Sequence, residues 1–187
     1  MKNKIAIFGA GLGGIVFGWY LVSPYLVVSQ CKHSIEKLDA DAAINCVDFP
    51  PLRESIKSEL SAHVLSEMQN DPEMKSNPFA SIGMALIVPM MSAMVDGYVT
   101  PSGIKTAFKV AKSKEAGMPE ESSEQEEVVA QRSEDLGRSL KDSTIGYDGS
   151  LDKFKVSAKS GDGQDVGLIF NRNGFSDWKL TAIELSK

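Results

Sequence analysis

From Ile5 to Cys31 the chain carries no charged side chain, and from Ile5 to Val28 it is almost wholly apolar. Few environments accept such a run. Read as a helix, the 24 positions from Ile5 to Val28 span ~36 Å at ~1.5 Å per residue. That exceeds a hydrocarbon core of ~30 Å and leaves room for tilt. Lys2 and Lys4 precede the run, and the first acidic residue is Glu36. A short basic N-terminus favours a cytoplasmic start and export of the chain beyond the span. Trp19, Tyr20 and Tyr25 lie toward the far end, where amphipathic rings suit a membrane interface.

The same run contains GAGLGG, a match to the dinucleotide-binding pattern through Gly9, Gly11 and Gly14. That pattern needs a preceding strand, a half-solvated helix, a second strand and then an acid for the ribose. Here the residues after the glycines offer no charge to solvent, Pro24 interrupts them, and Ser29, Gln30 and Cys31 stand where the acid belongs. The three glycines are therefore rejected as a cofactor site, and no cofactor is expected. The glycines also form two G-x-x-x-G pairs, Gly9/Gly13 and Gly14/Gly18, which permit close approach of a second helix and thus a homodimer. A cleaved signal peptide would have a shorter apolar run and a small-residue cleavage site. Val27-Val28-Ser29 fits that poorly, so an uncleaved anchor over residues 1–28 is expected, in contact with the bilayer through residues 5–28.

Without Lys2 and Lys4 the remainder holds 18 basic and 25 acidic residues, about −7 in all. An acidic domain has no electrostatic footprint for nucleic acid. Cys31 and Cys46 are the only cysteines. Export would permit a bridge between them, tying the end of the anchor to the next helix; the alternative is two thiols packed as small apolar groups. Two cysteines and two histidines lack the spacing of a zinc site.

Gln30–Cys46 reads as two short helices parted near Asp39, with Asp41 at the second N-cap. Pro50-Pro51 then opens a helix with Leu52, Ile56, Leu60 and Val64 on one stripe. The segment NDPEMKSNP is rich in turn formers, and Phe79–Val95 is a second apolar run of 17 residues with Pro89 inside it. That run is short for a span, and a buried, proline-kinked helix is expected. A further short helix starts at Thr100. Residues 29–110 thus form a helical part of the exported domain. Glu115–Glu127 holds six glutamates and no basic residue, so 111–143 reads as a flexible acidic linker.

Residues 144–187 change period from helix to strand. KFKVSAKS, DVGLIFNRNG and FSDWKLTAIELS are candidate strands, separated by Gly161-Asp162-Gly163 and Asn173-Gly174. Phe154, Val156 and Ala158 alternate with polar residues, as do Trp178, Leu180 and Ala182 with Lys179, Thr181 and Ile183. The expected class is α+β: a transmembrane helix, a helical layer, and an antiparallel meander of three to four strands. The Phe79–Val95 helix is the expected cover for its apolar face.

The Pro-Tyr-Leu segment, VDFPPLRESIK and the closing DWKLTAIEL resemble a family of bacterial membrane-anchored proteins whose domain has no assigned function. The resemblance implies a Gram-negative envelope protein and transfers no catalytic residue. Early helices followed by a sheet ending in Trp-x-Leu are also similar to the cone-shaped folds of the nuclear transport factor two class, and fold alone does not give function.

The titratable candidates for chemistry are His33, His63, Glu36, Asp39, Asp41, Asp48 and Asp96. No nucleophile elbow, triad or metal-ligand spacing joins them. Asp48 reads as shaping the turn into the next helix. Met84, Met90, Met91 and Met94 crowd one apolar helix, as core filler or as the wall of an adaptable groove; copper(I) is the sharpest alternative. The expectation is a single-pass inner-membrane protein with a periplasmic domain that binds an apolar ligand or another envelope protein. The alternative is an enzyme, working through GAGLGG or through an acid–base site without a recognisable motif.

Overall fold

The computed structural model describes residues 2–70, 80–115, 143–159 and 165–185. Its longest element, α1, runs unbroken from Lys2 to Glu36 and carries Pro24 inside it. From Gly13 to Glu36 this helix is long and apolar enough to cross a membrane. It has two parts. Ile15, Val16, Phe17, Trp19 and Val22 are exposed, whereas Ser23, Pro24, Val28, Cys31 and Ser34 are buried. Burial begins at Ser23, so within residues 23–28, which composition assigns to the anchor, Ser23, Pro24 and Val28 already enter the packed domain while Tyr25 and Leu26 remain 40% and 43% exposed.

Pro24 does not interrupt the helix, and the reason is local. Proline has no N–H, so the carbonyl four residues earlier, that of Tyr20, loses its helical donor, and the ring crowds the turn before it. The Ser23 hydroxyl donates to Tyr20 O at 3.0 Å, and Arg172 Nη2 donates to the same oxygen at 3.1 Å. The neighbouring carbonyl of Leu21 accepts from the Tyr147 hydroxyl at 2.8 Å. The helix survives its proline because nearby side chains, two of them from the sheet, supply donors.

The helix ends where Leu38 takes a left-handed conformation, φ 51°, and Asp39 N returns to Ser34 O at 2.8 Å. The two short helices expected over 30–46 are thus the end of α1 and a separate α2, Ala40–Asn45. Asp39, not Asp41, caps α2: its carboxylate accepts from Ala42 N at 3.1 Å. Asp41 lies inside the first turn, where its side chain reaches Lys105 at 2.9 Å instead. Cys31 in α1 and Cys46 at the end of α2 are disulfide-bonded, with their Cα atoms 5.9 Å apart.

The sheet is a four-stranded antiparallel meander in the order β1 (Thr144–Tyr147), β2 (Lys153–Lys159), β3 (Asp165–Asn173) and β4 (Asp177–Leu185). Phe154, Val156 and Ala158 face inward and are buried, as their alternation requires. The Asn173-Gly174 hairpin forms, with Gly174 at φ +83°. The Gly161–Gly163 turn lies outside the described residues. One expectation fails in β4. Ile169 pairs with Ala182 but Phe170 pairs with Leu180, so Thr181 is an extra residue, and its hydroxyl donates to Ile169 O at 3.3 Å. The bulge shifts the phase by one. Ile183, assigned by strict alternation to the face opposite Trp178 and Leu180, packs against the same core as they do.

The free edge of β4 is covered. Val47 makes a parallel bridge to Leu180, with Leu180 N donating to Cys46 O at 2.8 Å and Asp48 N to Leu180 O at 3.0 Å. Helix α3 (Phe49–Asn70) then runs beside the strand. Ser55 Oγ accepts from Ile183 N at 3.0 Å and donates to Ile183 O at 3.1 Å. Exposed edges invite pairing with other chains, and this one is occupied by its own chain.

The sheet's inner face is covered by the second half of α1, through Val28 and Cys31 with Val27 and Ile35 beside them. The apolar helix expected in that role, α4 (Ala80–Tyr98), packs instead on α3 and on α5 (Pro101–Glu115). Lys57 of α3 holds Asp96 of α4 at 2.8 Å, and this bond, with Glu54 assisting, raises the Lys57 pKa. Leu86 and Met90 of α4 are 70% and 67% exposed. Helix α5 continues to Glu115, five residues into the segment expected as linker; residues 116–142 are not among those described.

Replacing Cys46 by serine frees the 15-residue separation closed by the bridge and should cost about 3 kcal/mol. In urea titrations of the full-length protein, the variant's midpoint should fall and cease to respond to reductant, while the wild type should drop toward it on reduction.

Candidate functional site

Between α1, α2, α5 and the sheet lies a cavity of about 360 Å³. Val28, Cys31 and Ile35 border it from α1, and Val156, Leu168 and Phe170 from the sheet. Ile104, Ala107 and Phe108 close it from α5, and Leu180 and Ile183 reach it because the β4 bulge turns both the same way. Among the described residues that line it, Lys32 is the one with a charge. The volume falls within the ~300–1,000 Å³ usual for small-ligand sites, and the lining is more apolar than most.

Local sequence explains why the roof stands off from the sheet. Thr100 starts α5 by accepting from Gly103 N at 3.0 Å through its hydroxyl. Gly103 sits hard against the Tyr98 carbonyl, where a Cβ would collide with backbone. This tight α4–α5 corner fixes Ile104, Ala107 and Phe108 over the gap. The disulfide holds α1 and α2 together on the other side.

Below the cavity, toward the apolar half of α1, the domain is closed by a polar knot centred on Arg172. Its guanidinium lies between two rings, 3.5 Å from the centroid of Tyr20 and 4.2 Å from that of Trp178. Nη1 donates to Ser23 Oγ at 3.3 Å and to Phe175 O at 2.6 Å, and Nη2 donates to Tyr20 O and Leu151 O at 3.1 Å each. Trp178 Nε1 also donates to Ser23 Oγ, at 3.0 Å. The Arg172 side chain is only 4% exposed, yet its donors have partners, as a buried guanidinium requires. Burial raises the Tyr147 pKa, which keeps that hydroxyl a donor to the α1 carbonyl beside it.

A model of the family of proteins of unknown function DUF2939 matches residues 14–107. The chain belongs to that family. In this DUF2939 protein the match begins in the exposed half of α1 and ends at the cavity roof in α5, leaving the sheet outside it. No curated protein and no solved structure matches the chain.

The residues singled out from sequence are scattered over the domain. Gly9, Gly11 and Gly14 lie inside continuous helix, so the strand-to-helix turn that would admit a pyrophosphate is not formed there. Gly13, Gly14 and Gly18 have open space where a Cβ would stand. Cys31 and Cys46 are bonded, and both border the cavity. Met90 and Met94 are exposed and Met91 is half-buried; these three are absent from the cavity wall. The side chain of Met84 is outside the described residues. His33 faces Glu36 across 4.0 Å on the surface, His63 is exposed on α3, Asp39 caps α2, and Asp41 and Asp96 pair with lysines. Asp48 acts through its backbone, which bonds to Leu180. Among the described residues no three His, Cys, Asp or Glu side chains converge as a metal site.

Arg172, Ser23 and Tyr147 were missed from sequence. Their signal was Pro24 inside an apolar helix: it guarantees a free carbonyl that another donor must satisfy. Arg172→Lys keeps the charge but loses the planar stack and the fork of donors. It should lower stability by roughly 2 kcal/mol and shift Trp178 emission, as read by denaturation followed through tryptophan fluorescence.

Proposed function

We propose that this DUF2939 protein is a single-pass inner-membrane protein of the bacterial envelope whose periplasmic α+β domain binds an apolar ligand. The observation that carries the reading is the cavity of about 360 Å³, walled by apolar side chains from four parts of the fold. Burial of apolar area at ~25 cal/mol per Å² is the main driving force such a site offers.

The anchor reading rests on the uncharged run of α1 that begins at Ile5 and on Lys2 and Lys4 at the start of the helix. The Cys31–Cys46 bond accords with an oxidising compartment. Because α1 both leaves the bilayer and walls the cavity, a ligand bound there sits directly above the membrane surface. Val28, Cys31 and Ile35 are the cavity residues of α1, and they follow the Arg172 knot as the helix leaves the bilayer. A second reading is a protein-interaction module, favoured by the exposed apolar side chains Leu86, Ile87, Met90 and Met94 on α4. Self-association through the open glycines of α1 would serve that reading.

Photo-crosslinking separates the two. A fatty acid carrying a diazirine in mid-chain is supplied to bacterial membranes holding the full-length protein, and adducts are mapped by mass spectrometry. Adducts are expected on 28–35 of α1 and 104–108 of α5, and Ala107→Trp should remove them while sparing those on 13–22. Adducts confined to 13–22 in both proteins would reject the ligand site.

A further inference from the structure

The end of the domain nearest the exposed half of α1 is built from two hairpin turns. One joins β1 to β2 and carries Gly149, φ +72°, and Leu151; the other joins β3 to β4 and carries Gly174, φ +83°, and Phe175. Positive φ is cheap for glycine, and each tip also holds an exposed large apolar residue: Leu151 is 45% exposed and Phe175 54%. Surface tips of this kind are normally polar. Both tips are fastened to the helix. Arg172 takes the carbonyls of Leu151 and Phe175 and, with the same guanidinium, that of Tyr20.

Phe175 also packs its ring 5.6 Å from that of Tyr20. With Gly13, Val16, Phe17 and Tyr20 it borders an open groove of about 510 Å³. Those four positions are one face of α1, spaced as a helix requires. Gly13 lies about 10 Å farther along the axis than Tyr20. Phe175 therefore overhangs the stretch of helix that reads as the membrane span.

We propose that the β3–β4 tip enters the bilayer interface, with Phe175 among the lipid chains that lie along α1 and Leu151 beside it at the same depth. The inference rests on the anchor reading. The occupant of the groove is lipid because the groove is continuous with the lipid-facing surface of the span and has no charged wall. Trp19, 54% exposed and next to Tyr20 on α1, completes an apolar and aromatic rim of the kind that seats at a headgroup boundary. Attachment by charge is disfavoured, since the basic groups Arg172 and Lys179 at this end are already paired with Asp152 at 3.3 Å and Asp177 at 3.6 Å. The membrane boundary then lies at Tyr20. Lys2–Tyr20 spans ~28 Å, close to the ~30 Å core.

The test uses the full-length chain, in which the Cys31–Cys46 bond leaves a new cysteine as the labelling site. Nitroxide labels at Phe175→Cys and Leu151→Cys are compared with labels at Val16→Cys and Asp165→Cys, in liposomes of phosphatidylethanolamine and phosphatidylglycerol. Accessibility to oxygen relative to a water-soluble nickel complex is read at each site. Labels at 175 and 151 should favour oxygen well above the Asp165 reference and approach Val16, and should do so equally without phosphatidylglycerol. Nickel-dominated accessibility like that of Asp165 would overturn the proposal. Shielding of both tips from both reagents would also overturn it, by placing protein rather than lipid there. A water-exposed label at Val16 would bring down the anchor reading itself and this inference with it.

Discussion

A free carbonyl in the middle of an apolar helix holds this structure together. Pro24 removes the donor that Tyr20 O would have had, and leaving a buried carbonyl unpaired costs more than a typical hydrogen bond contributes net. Ser23 and Arg172 meet that need, and Tyr147 takes the next carbonyl along. Arg172 and Tyr147 reach these carbonyls from strands 152 and 126 residues away in sequence. The proline is thus a docking point, not a break. It fixes where the helix stops being free and starts being core, and it fixes the sheet's height on the helix axis.

The remaining elements build on that docking. With α1 laid on the sheet, Val28, Cys31 and Ile35 face Val156, Leu168 and Phe170, and the disulfide brings α2 alongside. The 46–48 segment can then pair with β4, which starts α3 along the strand's free edge. Helices α4 and α5 are the outer layer, joined at a corner that only glycine at 103 allows. Helix α5 closes the cavity from above without filling it. The cavity, the covered edge and the exposed α4 face are three consequences of one choice, that α1 and not α4 covers the sheet.

Much of this was legible in the sequence, and the parts that were not have physical causes. Strand periodicity in Lys153–Lys159 and the Asn173-Gly174 turn read correctly because each is a local signal. So did the uncharged length of the first helix and the α+β class. The buried stripe at Pro24, Val28 and Cys31 is hidden because its surroundings are as apolar as the stripe itself; membrane and core look alike by composition. With residues up to Val28 read as lipid-facing, the next most apolar helix, around Met90, is the one left to cover the sheet. Ile183 was misplaced for a different reason: a bulge at Thr181 has no signature in strand alternation. The cavity is a gap between elements distant in sequence, and no single segment encodes it.

The fold and the membrane-proximal cavity depend on α1 being one continuous helix through Pro24, exposed at one end and rooted at the other in the domain core. Hydrogen exchange of the full-length protein in lipid bilayers, followed by mass spectrometry, addresses that continuity directly. Amides of Val22, Ser23, Tyr25 and Leu26 should be as slow as those of Val28 and Cys31, and Arg172→Lys should speed them selectively. Rapid exchange at Ser23–Leu26 in the wild type, between two slow segments, would show a hinge at Pro24 and refute a continuous helix.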